Sequence, residues 1–131
     1  MSHRAFTIDP TKPFYVFDTP GEWHAVVLHH YIFDTRGEYV GFVRGENHDV
    51  FTSSGEWIGV LIRDGRIIRK RGSPRPPLLR DLPPKPPKPV NFPARAPLPP
   101  QTGDLGFDKV DVLDEDPEVF KRLSDLTPDA D

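Results

Sequence analysis

The sequence contains no cysteine, which excludes disulfides and thiolate metal sites and leaves the redox compartment open. No apolar run approaches the ~20 residues of a membrane-spanning helix. The opening, MSHRAFTIDP, lacks the apolar stretch of a signal peptide. The expectation is a soluble, cytoplasmic protein with no membrane contact. Also missing are a GxSxG nucleophile elbow, a phosphate-binding glycine loop and a dinucleotide fingerprint. Ser53 and Ser54 precede Gly55, but they sit in a turn of the repeat described below, and nothing near them makes a nucleophile.

Proline is sparse except in one stretch: twelve of the 17 lie between Pro74 and Pro100. Proline fixes φ and lacks the backbone donor, so this stretch carries neither regular helix nor sheet. The chain divides into a folding part at 1–73, a proline-rich extended segment at 74–103 and an acidic tail at 104–131. A core of roughly 70 residues is marginal and calls for help from a tail, a partner or very regular packing. Charge divides similarly. Residues 63–95 hold ten basic and two acidic side chains, whereas 96–131 hold three basic and ten acidic. A basic strip between acidic blocks either binds a polyanion or folds back on its own acidic neighbours.

The folding part repeats itself. FDTPGEWHAVV (17–27), FDTRGEYVGFV (33–43) and FTSSGEWIGVL (51–61) align on Gly21, Gly37 and Gly55. Each glycine follows an aromatic by four residues and precedes Glu and a second aromatic: Trp23, Tyr39, Trp57. A small residue comes two places on: Ala25, Gly41, Gly59. A worn fourth copy has Ile68 four residues before Gly72. Spacings of 16 to 18 residues suit one β-hairpin per unit. β-Branched and aromatic residues fill the strands, and Asp or Thr followed by Gly supplies the turns. Strict alternation places Trp23, Ala25 and Val27 on one face with Tyr39, Gly41, Val43 and Trp57, Gly59, Leu61. Val26, Phe42 and Val60 share the other with His24, Val40 and Ile58. Both faces are apolar, so the sheet must be covered outside or must self-associate. The small column Ala25/Gly41/Gly59 points to close backbone approach around an axis.

These repeated glycine–aromatic–small hairpins, followed by a proline-rich tail, resemble the four-fold β-flower proteins. These are small bacterial proteins of four pseudo-symmetric hairpins around a central axis. The resemblance covers about residues 14–73. It implies an all-β fold closed as a small flower or barrel, and no chemistry, because the family has no established activity. Here the fourth unit departs from the pattern by losing its aromatic and most of its second strand. A PRC-type or other small β-barrel, suggested by GEWIGVLIRDG, is the alternative fold.

The tail reads as polyproline II with Leu78, Leu79, Leu82, Val90, Phe92 and Leu98 spread through it. Either it wraps the hairpins and packs these side chains, or it serves as a ligand for an aromatic groove. PPKPPK at 83–88 meets the minimal P-x-x-P-x-basic pattern. Wrapping is favoured, because the core is small and two-faced. In DEDPEVFKRLSDL, Asp116 as N-cap and Pro117 at the first position predict a short helix over about 117–126.

Chemistry-bearing residues each have a plainer reading. His24, His29 and His30, completed by Asp34 or Glu22, have metal-ligand chemistry. The repeat argues against it, since the other units carry Val40 and Ile58 where the first has His24. Asp18/Asp34 and Glu22/Glu38/Glu56 preserve the repeat, as turn residues and solvated strand starts do. No metal, cofactor or catalytic residue is assigned, and an enzyme is not expected. Trp23, Tyr39 and Trp57 could stack bases while Arg63, Arg66, Arg69, Lys70, Arg71 and Arg75 held phosphates. Their identical place in every unit makes the aromatics core. The functional expectation is a non-enzymatic binding or scaffold module working through a protein partner or self-association. The alternative is nucleic-acid binding through the basic strip 63–80, with affinity that falls steeply with salt.

Overall fold

A computed structural model describes residues 6–121. Seven short strands follow one another: β1 (Phe14–Phe17), β2 (Trp23–Leu28), β3 (Tyr31–Asp34), β4 (Tyr39–Arg44), β5 (Asp49–Thr52), β6 (Trp57–Leu61) and β7 (Ile67–Lys70). An eighth, β8 (Lys109–Asp111), arrives after the proline-rich segment, followed by helix α1 (Val112–Glu115). Every strand pairs antiparallel with its sequence neighbour, giving one eight-stranded meander curled into a half-barrel. The expected hairpins are therefore present. The expected closure is not, because β8 and β1 form no ladder. At the seam the amide of Phe17, at the end of β1, donates to the Gly65 carbonyl in the β6–β7 turn at 3.0 Å.

The three regular units share a device that alternation cannot reveal. Phe17 faces Trp23 and Val16 faces Ala25, leaving His24 without a partner across the strand pair. Val40 and Ile58 are skipped in the same way. Each is the extra residue of a β-bulge, which bends its strand and re-aims the side chains before it. The face assignment is corrected accordingly. Val40 and Ile58 join Ala25, Val27, Val43 and Leu61 in the core, with Val16, Ile32, Val50 and Ile67 opposite them. Trp23, Tyr39 and Trp57 lie outside that core and only half-buried. Trp23 rests against Tyr15, and Tyr39 against Tyr31 and Phe33. The glycines after two of the bulges are dictated by the adjacent strand rather than by a shared axis. A Cβ on Gly41 would collide with the Phe51 carbonyl oxygen, and one on Gly59 would sit 2.7 Å from that of Ile68.

The worn fourth unit obtains its missing strand from afar. Ile68, Arg69 and Lys70 pair with Asp111, Val110 and Lys109. Immediately beyond, Val112 and Leu113 insert into the core, Leu113 only 1% exposed. Burying a leucine this fully stabilises by roughly 1.5–3 kcal/mol. The helix expected over 117–126 is displaced. Asp111 caps α1 by accepting from the Asp114 amide, Asp116 closes it by donating to the Val112 carbonyl, and Pro117 follows as a stop. Residues 117–121 form turns, and 122–126 lie outside the described residues. Val119 and Phe120 still pack on the core.

Candidate functional site

Two features stand out from the hairpin scaffold: a polar clasp across the seam and a strap around the sheet. The clasp begins with turn chemistry. Asp18 Oδ1 accepts from the amides of Gly21 and Glu22 at 3.0 and 2.7 Å, as Asp34 Oδ1 accepts from Arg36 and Glu38 in the next unit. Thr52 Oγ1 accepts from the Glu56 amide in the third. In the first unit alone, the bulge position holds a histidine. His24 Nε2 lies 2.9 Å from Asp18 Oδ2, and both side chains are largely buried.

Next to this pair the seam is joined. The Thr19 amide and hydroxyl both donate to Asp111 Oδ2 at 2.6 Å, tying the first turn to β8. Arg66, 2% exposed, donates from Nη1 to the Thr19 hydroxyl and from Nε and Nη2 to Asp64. A buried guanidinium held by a planar carboxylate fork and a hydroxyl satisfies the rule that buried charge must be paired. Burial, with the carboxylates of Asp111 and Asp18 near it, raises the Asp114 carboxyl above the usual range. A cleft of about 310 Å³ opens beside the clasp between Thr19, Arg66, Lys109, Asp114 and Glu115.

Among the described residues, Asp18, Glu22 and His24 are the one group whose ligand atoms all lie within 4.8 Å of one another. A borderline cation suits such donors. Turn formation and the His24–Asp18 bond already account for Asp18 and His24. His29 and His30 do not join them: both adopt left-handed backbone in the β2–β3 turn and line a different cleft with His48.

The strap comprises residues 71–108, and it visits the three repeat turns in reverse order. The Leu79 amide donates to the Gly55 carbonyl at 3.0 Å, and Leu82 Cδ2 would lie 2.9 Å from a Cβ there. Phe92 sits over Gly37 and meets the Phe33 ring edge-on at 6.2 Å. Pro99 covers Gly21 at 3.1 Å from where a Cβ would be. The absence of side chains on these glycines makes the seats. Arg44 donates to the Asp81 carbonyl, Arg75 pairs with Glu56 at 2.8 Å and Lys88 with Glu38 at 3.5 Å. The wrapping of Leu79 and Phe92 is thus observed. Val90 and Leu98, grouped with them by sequence, instead point into solvent. Beside the strap, Phe51, Trp57, Pro74, Pro76, Pro77 and Leu79 line an open, largely apolar cleft of about 470 Å³.

The cations of the basic strip do not form one exposed row. Arg66 is in the clasp. Arg69 and Arg71 each approach Glu115 at 3.8 Å, and Arg71 Nε donates to the Phe107 carbonyl. Arg75 serves Glu56. Lys70 is exposed, and exposed Arg63 lies over the Phe6 ring at 5.8 Å. Sequence reasoning missed Asp111 and Asp114, which sit in an acidic run indistinguishable from a solvated tail. No helix among the described residues is long and apolar enough to cross a membrane. No family model, curated protein or solved structure matches this chain.

Proposed function

We propose that this protein is a non-enzymatic binding or scaffold module acting through protein–protein contacts, with the strap as its recognition element. One observation carries the reading. While Leu79, Phe92 and Pro99 are seated on the sheet, the same connection holds Val90 85%, Leu98 92% and Phe107 92% exposed. Large apolar side chains fixed in solvent by a pinned backbone are groups a partner can bury without first ordering the chain. In the same proposal the four units form a pseudo-four-fold arrangement of the β-flower kind, opened at the β8–β1 seam, with the fourth assembled from β7 and β8. The close pairing of buried Arg66 with Asp64 and of Arg75 with Glu56 supports this reading over the nucleic-acid one, since it withdraws two cations from the basic strip.

The test is affinity capture from host lysate with two full-length baits, wild type and a Val90→Asp/Leu98→Asp/Phe107→Asp variant. Sedimentation of each alone reports self-association. A protein, or a second copy, held by wild type and lost by the variant is expected. Identical protein catches on both baits, or a catch removed by nuclease, overturn the proposal.

A further inference from the structure

We propose that residues 83–89 are a preformed polyproline ligand, presenting Pro84, Lys85, Pro87 and Lys88 to a partner protein with an aromatic-lined groove flanked by carboxylates. This rests on the reading of the strap as the recognition element and gives its partner a chemistry.

In Pro83-Pro84-Lys85-Pro86-Pro87-Lys88-Pro89, every residue either is a proline or precedes one. Proline fixes φ near the polyproline II value, and the residue before it is pushed out of the helical region into the same basin. Polyproline II has three residues per turn, so it is a three-edged prism. Burial along the segment follows that period. Pro83, Pro86 and Pro89 are half-buried, whereas Pro84, Lys85, Pro87 and Lys88 are exposed. One edge therefore lies on the domain, and two face outward: a proline edge and a lysine edge. The two prolines of the P-x-x-P-x-basic match, Pro83 and Pro86, lie on the domain edge, so recognition here uses the outward edges instead, Pro84 with Pro87 and Lys85 with Lys88.

Pinning sharpens the point. Upstream, Leu79 and Leu82 are seated at Gly55, and Arg44 holds the Asp81 carbonyl. Downstream, Asn91 breaks the run with φ +59 and Phe92 is seated at Gly37. Both ends of the prism are fixed, so a groove that grips it orders little chain. Grooves that bind such prisms insert aromatic rings between proline ridges and place acid against a neighbouring basic residue. Lys85 and Lys88 supply that charge, one turn apart on a single edge. Among the described residues these lysines form one ion pair, Lys88–Glu38 at 3.5 Å, with both side chains well exposed. A pair of that kind contributes little and exchanges readily for a partner's carboxylate.

The experiment titrates the full-length chain against a panel of purified SH3 domains, which carry such grooves. The variants are Lys85→Glu/Lys88→Glu, Pro84→Ala/Pro87→Ala and Pro86→Ala/Pro89→Ala, and a melting curve for each reports the fold. Binding tighter than about 100 μM by at least one domain is expected. The lysine and outward-proline variants should weaken it about tenfold or more, with melting unchanged. The inward-proline variant should weaken it less than about threefold. No binding anywhere in the panel, undiminished binding of the lysine variant, or greater loss from the inward than from the outward prolines overturns the proposal. None of these results touches the Val90/Leu98/Phe107 test. A partner lost by that variant but indifferent to Lys85 and Lys88 would leave the broader reading standing and remove only this one.

Discussion

The first three units close on themselves through connections of four or five residues, and the fourth closes only after residues 71–108 have travelled round the sheet. In the first three, a turn residue bonds the amides around a left-handed glycine, and the strands are adjacent in sequence. Loop closure there costs little. The fourth joins β7 to a three-residue strand across a long connection, so its closure must be offset elsewhere. The offset comes from prolines that limit the unfolded chain, from the seats at Gly55, Gly37 and Gly21, and from Val110, Val112 and Leu113 in the core. Local hairpins give this protein its repeat, and the nonlocal one gives it integrity.

The largest test of that contrast removes the nonlocal part. A chain ending at residue 73 loses the strap, β8, the Asp111 half of the clasp and the buried Leu113. Loss of cooperative unfolding is expected, read by circular dichroism and by size-exclusion chromatography. A truncated chain that melts at the full-length temperature would make the first three units self-sufficient and reverse the argument. Leu113→Ala alone should cost about 2–5 kcal/mol.

A subtler test compares two glycines in the same backbone conformation. Gly55 (φ +97) sits under Leu79 and Leu82, whereas Gly45 (φ +87) has only the Asp49 carboxylate near, at 3.9 Å. Alanine at either strains the left-handed backbone by about 1 kcal/mol. Only at Gly55 must it also push the strap away, which adds roughly 1–2 kcal/mol. Equal losses in thermal melts of the two variants would mean the strap is not seated there. A parallel pair concerns Asp18 and Asp34. Asp18→Ala strips the turn and leaves His24 without its partner, a loss of about 1–3 kcal/mol, while Asp34→Ala loses only turn bonds at an exposed site, about 1 kcal/mol. A larger loss at Asp34 would show that the clasp adds nothing to the first turn.

The same contrast governs what could be read from the sequence. Turn glycines, short strands and the worn fourth unit were legible because each depends on neighbours within a few residues. Even the wrapping of Leu79 and Phe92 followed from a two-faced sheet needing cover. Bulges were not legible, because a period of two has no symbol for an extra residue. Hence His24, Val40 and Ile58 were assigned to the wrong face. β8 was hidden because three residues cannot display alternation, and Lys109 and Asp111 look like any charged tail. Pro117 misled for a definite reason: proline suits both the first turn of a helix and the position after its end. What decided between them was Asp111, whose side chain caps α1 while its other oxygen holds Thr19 across the seam.

The smallest expected effect lies at the β4–β5 turn, outside the clasp. His48 has a left-handed backbone (φ +58) and stacks on Phe6 at 4.4 Å between ring centroids. Burial, and secondarily the neighbouring His30, lower its pKa from the usual 6.5, with Asp49 opposing them. A lowered folded value means the unfolded chain takes up the proton first as pH falls. The stabilisation from neutral His48 is therefore complete above about pH 6.5 and lost as pH drops through the lower folded value. Asn tolerates the left-handed conformation and does not titrate, so His48→Asn separates the charge from the turn. Melting temperatures of wild type and His48→Asn between about pH 7.5 and 5 should converge on acidification by roughly 1–3 °C, small because the ring is partly solvated. Parallel curves would show that this turn stores no charge-dependent stability.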